Sequence, residues 1–159
     1  MAFSWNLPER LKYALLYQGV ANGVTCDVVS MKTLHKGWFL ITHTGSTDVD
    51  LTLTLMEATD VAAGTNAAIT TVCPIWVDLD AGTTSDVVSK TTSAYAYTID
   101  TGVAPSQVVM IEIDPAILSD GYDCVYLADS GGSGSNYCTI QFFGAPRYTG
   151  AELAAIITD

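Results

Sequence analysis

Two histidines, four cysteines, a group of three aspartates and three tryptophans are the residues best suited by type to chemistry. His35 and His43 are the only histidines, hence the only side chains whose ordinary pKa lies near neutral pH. Nucleophilic catalysis would need one of them beside a hydroxyl and a carboxylate. No Gly-x-Ser-x-Gly or other motif singles out a nucleophile, and both histidines read as solvent-contacting residues near strand ends. Cys26, Cys73, Cys124 and Cys138 show no Cys-x-x-Cys pair and no histidine close in sequence, so zinc is not expected. They read as buried free thiols. Asp78, Asp80 and Asp86 flank the turn at 81–85 with the oxygen density that calcium uses. No Asp or Asn precedes Gly82 and no Glu closes the loop, so the EF-hand pattern fails and a solvated acidic turn is expected.

The run Ser130-Gly131-Gly132-Ser133-Gly134-Ser135 imitates a phosphate loop but lacks the Lys-Ser/Thr and the helix that would follow. It reads as a flexible hairpin tip. Trp5, Trp38 and Trp76, with eight tyrosines, could build a sugar-binding platform. Trp38 and Trp76 lie in apolar runs, where core is the commoner role. Trp5, in a polar stretch, is the better contact candidate. No catalytic residue, cofactor or metal ligand is assigned, and the chain is not expected to be an enzyme.

The chain's 159 residues fit one domain with a core of useful size. Hydrophobic residues make up 49% and charged residues 14%; the hydrophobic share argues against disorder. Six Lys and Arg against 17 Asp and Glu give a formal net charge of -11. That surface repels phosphate, so no nucleic-acid partner is expected, while a basic protein surface would attract it. The charge also serves solubility. The first residues lack a basic n-region and Pro8-Glu9-Arg10 interrupts any apolar run, so no secretory leader is expected. No run reads as a membrane span.

The dominant hydrophobic period is two, that of strands. Val49, Leu51, Leu53 and Leu55 line one face of a half-buried strand, with Asp50, Thr52 and Thr54 on the other. Trp38-Phe39-Leu40-Ile41-Thr42 reads as a buried strand forming a hairpin with it. Strands are also expected over 75–79, 94–99 and 108–113. Asp114-Pro115 would open a short helical turn, with Asp114 as N-cap. The segments 122–128 and 137–143 read as the last hairpin, with Cys124 and Cys138 on one face. Leu7, Leu11, Ala14 and Leu15 stand at helical spacing over 8–17, and 151–157 could form a turn or two; either end could equally be an extended arm. The expected fold is all-β: an antiparallel β-sandwich, with a jelly roll as its alternative form, and short helical or extended terminal segments. Residues 1–24 would be an N-terminal arm or short helix, 25–148 the sandwich and 149–159 a tail.

Lys32-Thr33-Leu34-His35-Lys36-Gly37-Trp38-Phe39 opens a longer pattern. It continues through Thr52-Leu53-Thr54-Leu55, Pro74-Ile75-Trp76-Val77, Gln107 to Pro115, Gly121-Tyr122-Asp123-Cys124-Val125 and Pro146-Arg147-Tyr148. This order resembles short proteins encoded beside the major capsid protein in tailed-phage head modules. The resemblance spans most of the chain and carries no catalytic residues. It implies a virion component made in the host cytoplasm, a capsid decoration (cement) protein on the capsid surface. Its partner would be the major capsid protein, and a homo-oligomer, a trimer above other states, would be expected. Phe3, Trp5, Leu7 and Leu11 are large and apolar near the terminus and are the expected partner-binding residues. The competing expectation is a binding module, such as a tail or fibre domain or a carbohydrate binder.

Overall fold

The computed structural model describes residues 11–23, 25–45, 49–81 and 87–147. They form ten strands: β1 (Lys12–Asn22), β2 (Val29–Ser30), β3 (Leu34–Gly45), β4 (Leu51–Ala58), β5 (Asn66–Ala68), β6 (Ile75–Asp78), β7 (Ser89–Lys90), β8 (Ala96–Ile99), β9 (Ser106–Ile113) and β10 (Cys124–Pro146). Every pairing is antiparallel, so the all-β antiparallel fold read from the sequence is the observed one. The strands make one sheet that curls around a single core, a half-barrel in which both layers share the long strand β10.

The last hairpin is corrected. Residues 124–146 do not reverse; they form one strand of 23 residues. Its first part, Cys124 to Gly131, pairs with β4 and, at Cys124 and Val125, with β2. Its second part, from Asn136, pairs with β3 on one side and β1 on the other. The glycine-rich run is therefore a corner between two half-sheets. Gly131 and Gly132 have φ of +83° and +71°, a region that glycine alone enters without penalty. A Cβ on Gly132 would stand 2.2 Å from the Ala21 carbonyl oxygen, and one on Gly131 would stand 2.5 Å from that of Asp50. Cys124 and Cys138 consequently lie in different half-sheets, opposite Ala58 and His43 respectively.

The expected hairpin between the strands at 38–42 and 49–55 is corrected for the same reason. β10 stands between β3 and β4, since a strand with two long apolar halves has more surface to pair than either shorter neighbour. The larger half-sheet runs β1-β10-β3-β9-β6-β7, and the smaller sets β4 between β10 and the pair β5 and β8. The core fills the inside of the curl. Leu51, Leu53 and Leu55 of β4, Phe39 and Ile41 of β3, Val109, Ile111 and Ile113 of β9, and Phe142 of β10 are fully buried. Phe39 and Phe142 meet edge-on at 5.1 Å between centroids, a favoured aromatic geometry. Asp114 accepts from the Ala116 backbone N–H at 2.9 Å and caps the 3-10 turn Pro115–Ile117, as the sequence implied.

Of the two readings left open for 8–17, helix or extended, the extended one holds where the segment is described. From Lys12 the chain is strand β1, with Ala14 and Leu16 buried and Tyr13 and Leu15 exposed. Alternation of period two decided the outcome, because pairing with β10 satisfies the backbone and buries one face at once. The arm expected over 1–24 thus contributes residues 12–22 to the sheet. Phe3, Trp5 and Leu7 and the tail 149–159 lie outside the described residues.

Gly132→Ala is expected to destabilise the chain by more than about 2 kcal/mol, through left-handed strain and the clash with Ala21. Gly134→Ala, where a Cβ meets nothing within 4 Å, should change stability by less than about 0.5 kcal/mol. Urea denaturation of the two variants checks the contrast.

Candidate functional site

In the larger half-sheet alternate residues face away from the core, and strand register sets them in rows. Tyr13 of β1 stands beside Phe143 of β10, which stands beside Trp38 of β3, beside Glu112 of β9. The next row holds Leu15, Gln141, Leu40, Met110, Trp76 and Lys90. Further along lie Gln18, Thr139, Thr42, Val108 and Asp78, and then Val20, Tyr137, Thr44 and Ser106. Tyr13, Leu15 and Tyr137 are 56%, 45% and 57% exposed. Phe143, Trp38, Leu40, Met110 and Trp76 are half-buried by one another. Apolar side chains gathered on one face, unlike singly scattered ones, mark a candidate interaction surface.

The placement of Trp38 and Trp76 corrects the expectation that they are core. Both are on the outer face, because Phe39, Ile75 and Val77 take the inward positions on their strands. Together with Val88, Met110 and Glu112 they line a groove of about 220 Å³. The Trp38 indole Nε1 donates to Glu112 Oε2 at 3.1 Å, and Lys36 Nζ donates to Glu112 Oε1 at 2.7 Å. The Glu112 carboxylate raises the Lys36 pKa, chiefly through that hydrogen bond. Lys90 Nζ lies 5.7 Å from the centre of the Trp76 ring, within cation–π range. A second cavity of about 380 Å³ is lined by polar side chains of the same face, among them Gln18, Thr42, Thr44 and Thr139. At the β1 end, the Tyr13 and Phe143 rings stand 5.4 Å apart, and Leu11 is half-buried just before the strand.

The histidines are not brought together with any nucleophile. His35 is exposed. His43, expected in contact with solvent, is 2% exposed, because its position on β3 shares the inward face with Phe39 and Ile41. Neither ring nitrogen has a hydrogen-bond partner. All four cysteines are buried and free. Burial pushes Cys26, Cys124 and Cys138 up to about 12 and Cys73 to about 11, far from the thiolate that reactivity requires. Among the described residues no three His, Cys, Asp or Glu side chains gather to hold a metal ion. Asp78 is buried and accepts from the Asp80 backbone N–H at 3.2 Å; Asp86 lies outside the described residues. No described helix is long and apolar enough to cross a membrane. The chain matches no known protein family, no curated protein and no solved structure.

The outer face was missed because Trp38 to Ile41 and Val108 to Ile111 are continuous apolar runs, which in sequence read as strands covered on both sides. The readable signal was the lane of Thr42, Thr44 and Thr139, too polar for a second buried layer.

Two outcomes follow. Native chain should leave all four thiols unreactive toward an aromatic disulfide reagent at pH 8, and denaturation without reductant should release all four; fewer would mean bonded cysteines. Burial, the larger influence, lowers the His43 pKa below its ordinary 6.5, so the unfolded chain binds a proton there more readily than the folded one. The stability this provides is full above pH about 6.5 and is lost as pH falls from there through the depressed folded value. His43→Leu should flatten the slope of unfolding free energy against pH between about 5 and 6.5, a window chosen to lie above ordinary carboxylate pKa values.

Proposed function

We propose that the chain is a non-enzymatic structural protein of a virion: a capsid decoration (cement) protein that binds the outer surface of a tailed-phage head. It stabilises the head by bridging major capsid protein subunits. The observation that carries this reading is the uncovered apolar face at the β1 and β10 edge, where Tyr13, Leu15, Phe143 and Tyr137 stand outward in register. Interfaces are enriched in such aromatic anchors. Leu11, proposed as an anchor together with Phe3, Trp5 and Leu7, leads directly into that edge. The net charge of -11 suits attraction to a basic subunit surface. Weak single contacts repeated over a symmetric shell, or within a homo-oligomer, add by multivalency.

The test is co-sedimentation with purified heads lacking the chain, using the full chain, a deletion of residues 1–10 that spares β1, and Tyr13→Ser with Leu15→Ser. Saturable binding is expected for the full chain, weakened by more than about tenfold in either variant, since one fully buried apolar side chain contributes about 1.5–3 kcal/mol. Both variants should keep the thermal unfolding of the parent to within a few degrees. No saturable binding by the full chain, or undiminished binding by both variants, overturns the reading.

A further inference from the structure

The far half of the outer face has a different chemistry from the edge at β1. It joins two indoles, a carboxylate and two ammonium groups in one shallow place. Trp38 stands opposite Glu112 on one side of β9, and Trp76 stands opposite Met110 on the other. Their backbones are thus two strand spacings apart and two residues out of step along β9, roughly 12 Å. Positions that far apart suit successive parts of an extended ligand. Glu112 supplies an acceptor within the groove and is fixed there by Trp38 and Lys36, with Lys36 and Lys90 supplying donors at its rim. The hydroxyl- and amide-lined cavity at Thr42, Thr44, Thr139 and Gln18 lies on the same face and shares strand β3 with the groove.

We propose that this groove binds a chain of neutral pyranose sugars. A pyranose offers an apolar face of C–H bonds to an aromatic ring and a girdle of hydroxyls that both donate and accept. The groove presents the complement of each: indole surface, a fixed carboxylate and flanking ammonium donors. A purely apolar ligand would leave the Glu112 carboxylate and its partners desolvated without new hydrogen bonds, which is costly. A polyanion would meet Glu112 and Asp78 on the same face and an acidic molecule beyond. Trp38 and Glu112 sit on β3 and β9, in the interior of the sheet, so the platform is held rigid from both sides. This inference is independent of the capsid reading, whose surface lies at the β1 and β10 edge.

The experiment titrates the full chain with cellotetraose and, separately, with tetra-N-acetylchitotetraose, following tryptophan fluorescence and saturation-transfer NMR. At least one probe should give a saturable fluorescence change at millimolar concentration or below, with saturation transferred to sugar ring protons. Trp76→Ala should weaken that binding by at least about tenfold. Tyr95→Ala, at an exposed position off this face, should leave it unchanged. Should Trp76→Ala unfold the chain, Trp76→Met keeps the bulk, removes the π face and carries the same expectation. Absence of saturable binding for both sugars, or binding that survives the loss of the Trp76 ring, overturns the proposal. The head-binding result remains readable on its own, because the Trp76 variants leave Tyr13, Leu15 and the first ten residues intact.

Discussion

The corner of β10 at Gly131 and Gly132 is the constraint on which the rest of the molecule depends. One strand must serve two half-sheets, so it must change direction without ending. At the corner the Gly132 N–H donates to the Asp50 carbonyl at 2.8 Å, while Asn22 of β1 pairs with the same residue from the other side. Two chains therefore converge on a backbone that has no room for a side chain. Any Cβ there separates β10 from β4 or from β1, and each separation opens the core of one half-sheet. Because β1, β2, β3 and β4 all pair with β10, no other strand has comparable reach.

A sheet that curls on one shared strand has a concave side that fills itself and a convex side that nothing in the chain is obliged to cover. Leu51, Leu53 and Leu55 meet Phe39, Ile111 and Phe142 across the curl, within one continuous core. In a closed sandwich an outer position next to solvent is usually polar. Here the outward lane of the larger half carries Tyr13, Phe143 and Trp38 in one row and Leu40, Met110 and Trp76 in the next. Those residues add nothing to the core, and exposing them weakens solubility. Under the proposed function they serve binding. Acidic residues outside the larger half-sheet, such as Asp60 in a bend and Asp120 in a turn, offset the solubility cost.

How far the sequence was readable follows from which interactions are local. The alternation of Leu51, Leu53 and Leu55 and the Asp114-Pro115 cap depend on neighbours two or three residues away, and both were legible. The path of 124–146 was not. Ser130 to Ser135 has the composition of a tight reversal, yet whether a glycine run reverses or bends depends on which strands arrive beside it, here β4 and β1 from far earlier in the chain. The same non-local pairing made Lys12 to Tyr17, within the span of helical spacing, part of a strand. His43 was misread because its neighbours Thr42 and Thr44 are polar, and inward facing is set by register against Cys138 and Gln107. The candidate site suffered most. Trp38 and Trp76 were recognised as ring-bearing residues, but only the sheet order places them on the same side, across β9.

The two halves of the outer face also differ mechanically, and that difference bears on what each can recognise. β3 is paired on both sides from Gly37 to Thr44 and β9 from Val108 to Ile111, and Trp38 is further fixed by its hydrogen bond to Glu112. Side chains held in this way lose little freedom on meeting a small ligand, which favours recognition of a defined shape. β1 joins the sheet through β10, and its register slips between Leu15 and Tyr17. Such a bulged strand bends more easily, so Tyr13 and Leu15 can follow the relief of a large protein surface. Rigid centre and compliant margin thus divide one apolar face into a groove suited to a small, repeating ligand and an edge suited to a macromolecular one. The division arises from sheet order, since moving either tryptophan to β1 would keep its exposure and lose its fixed partner.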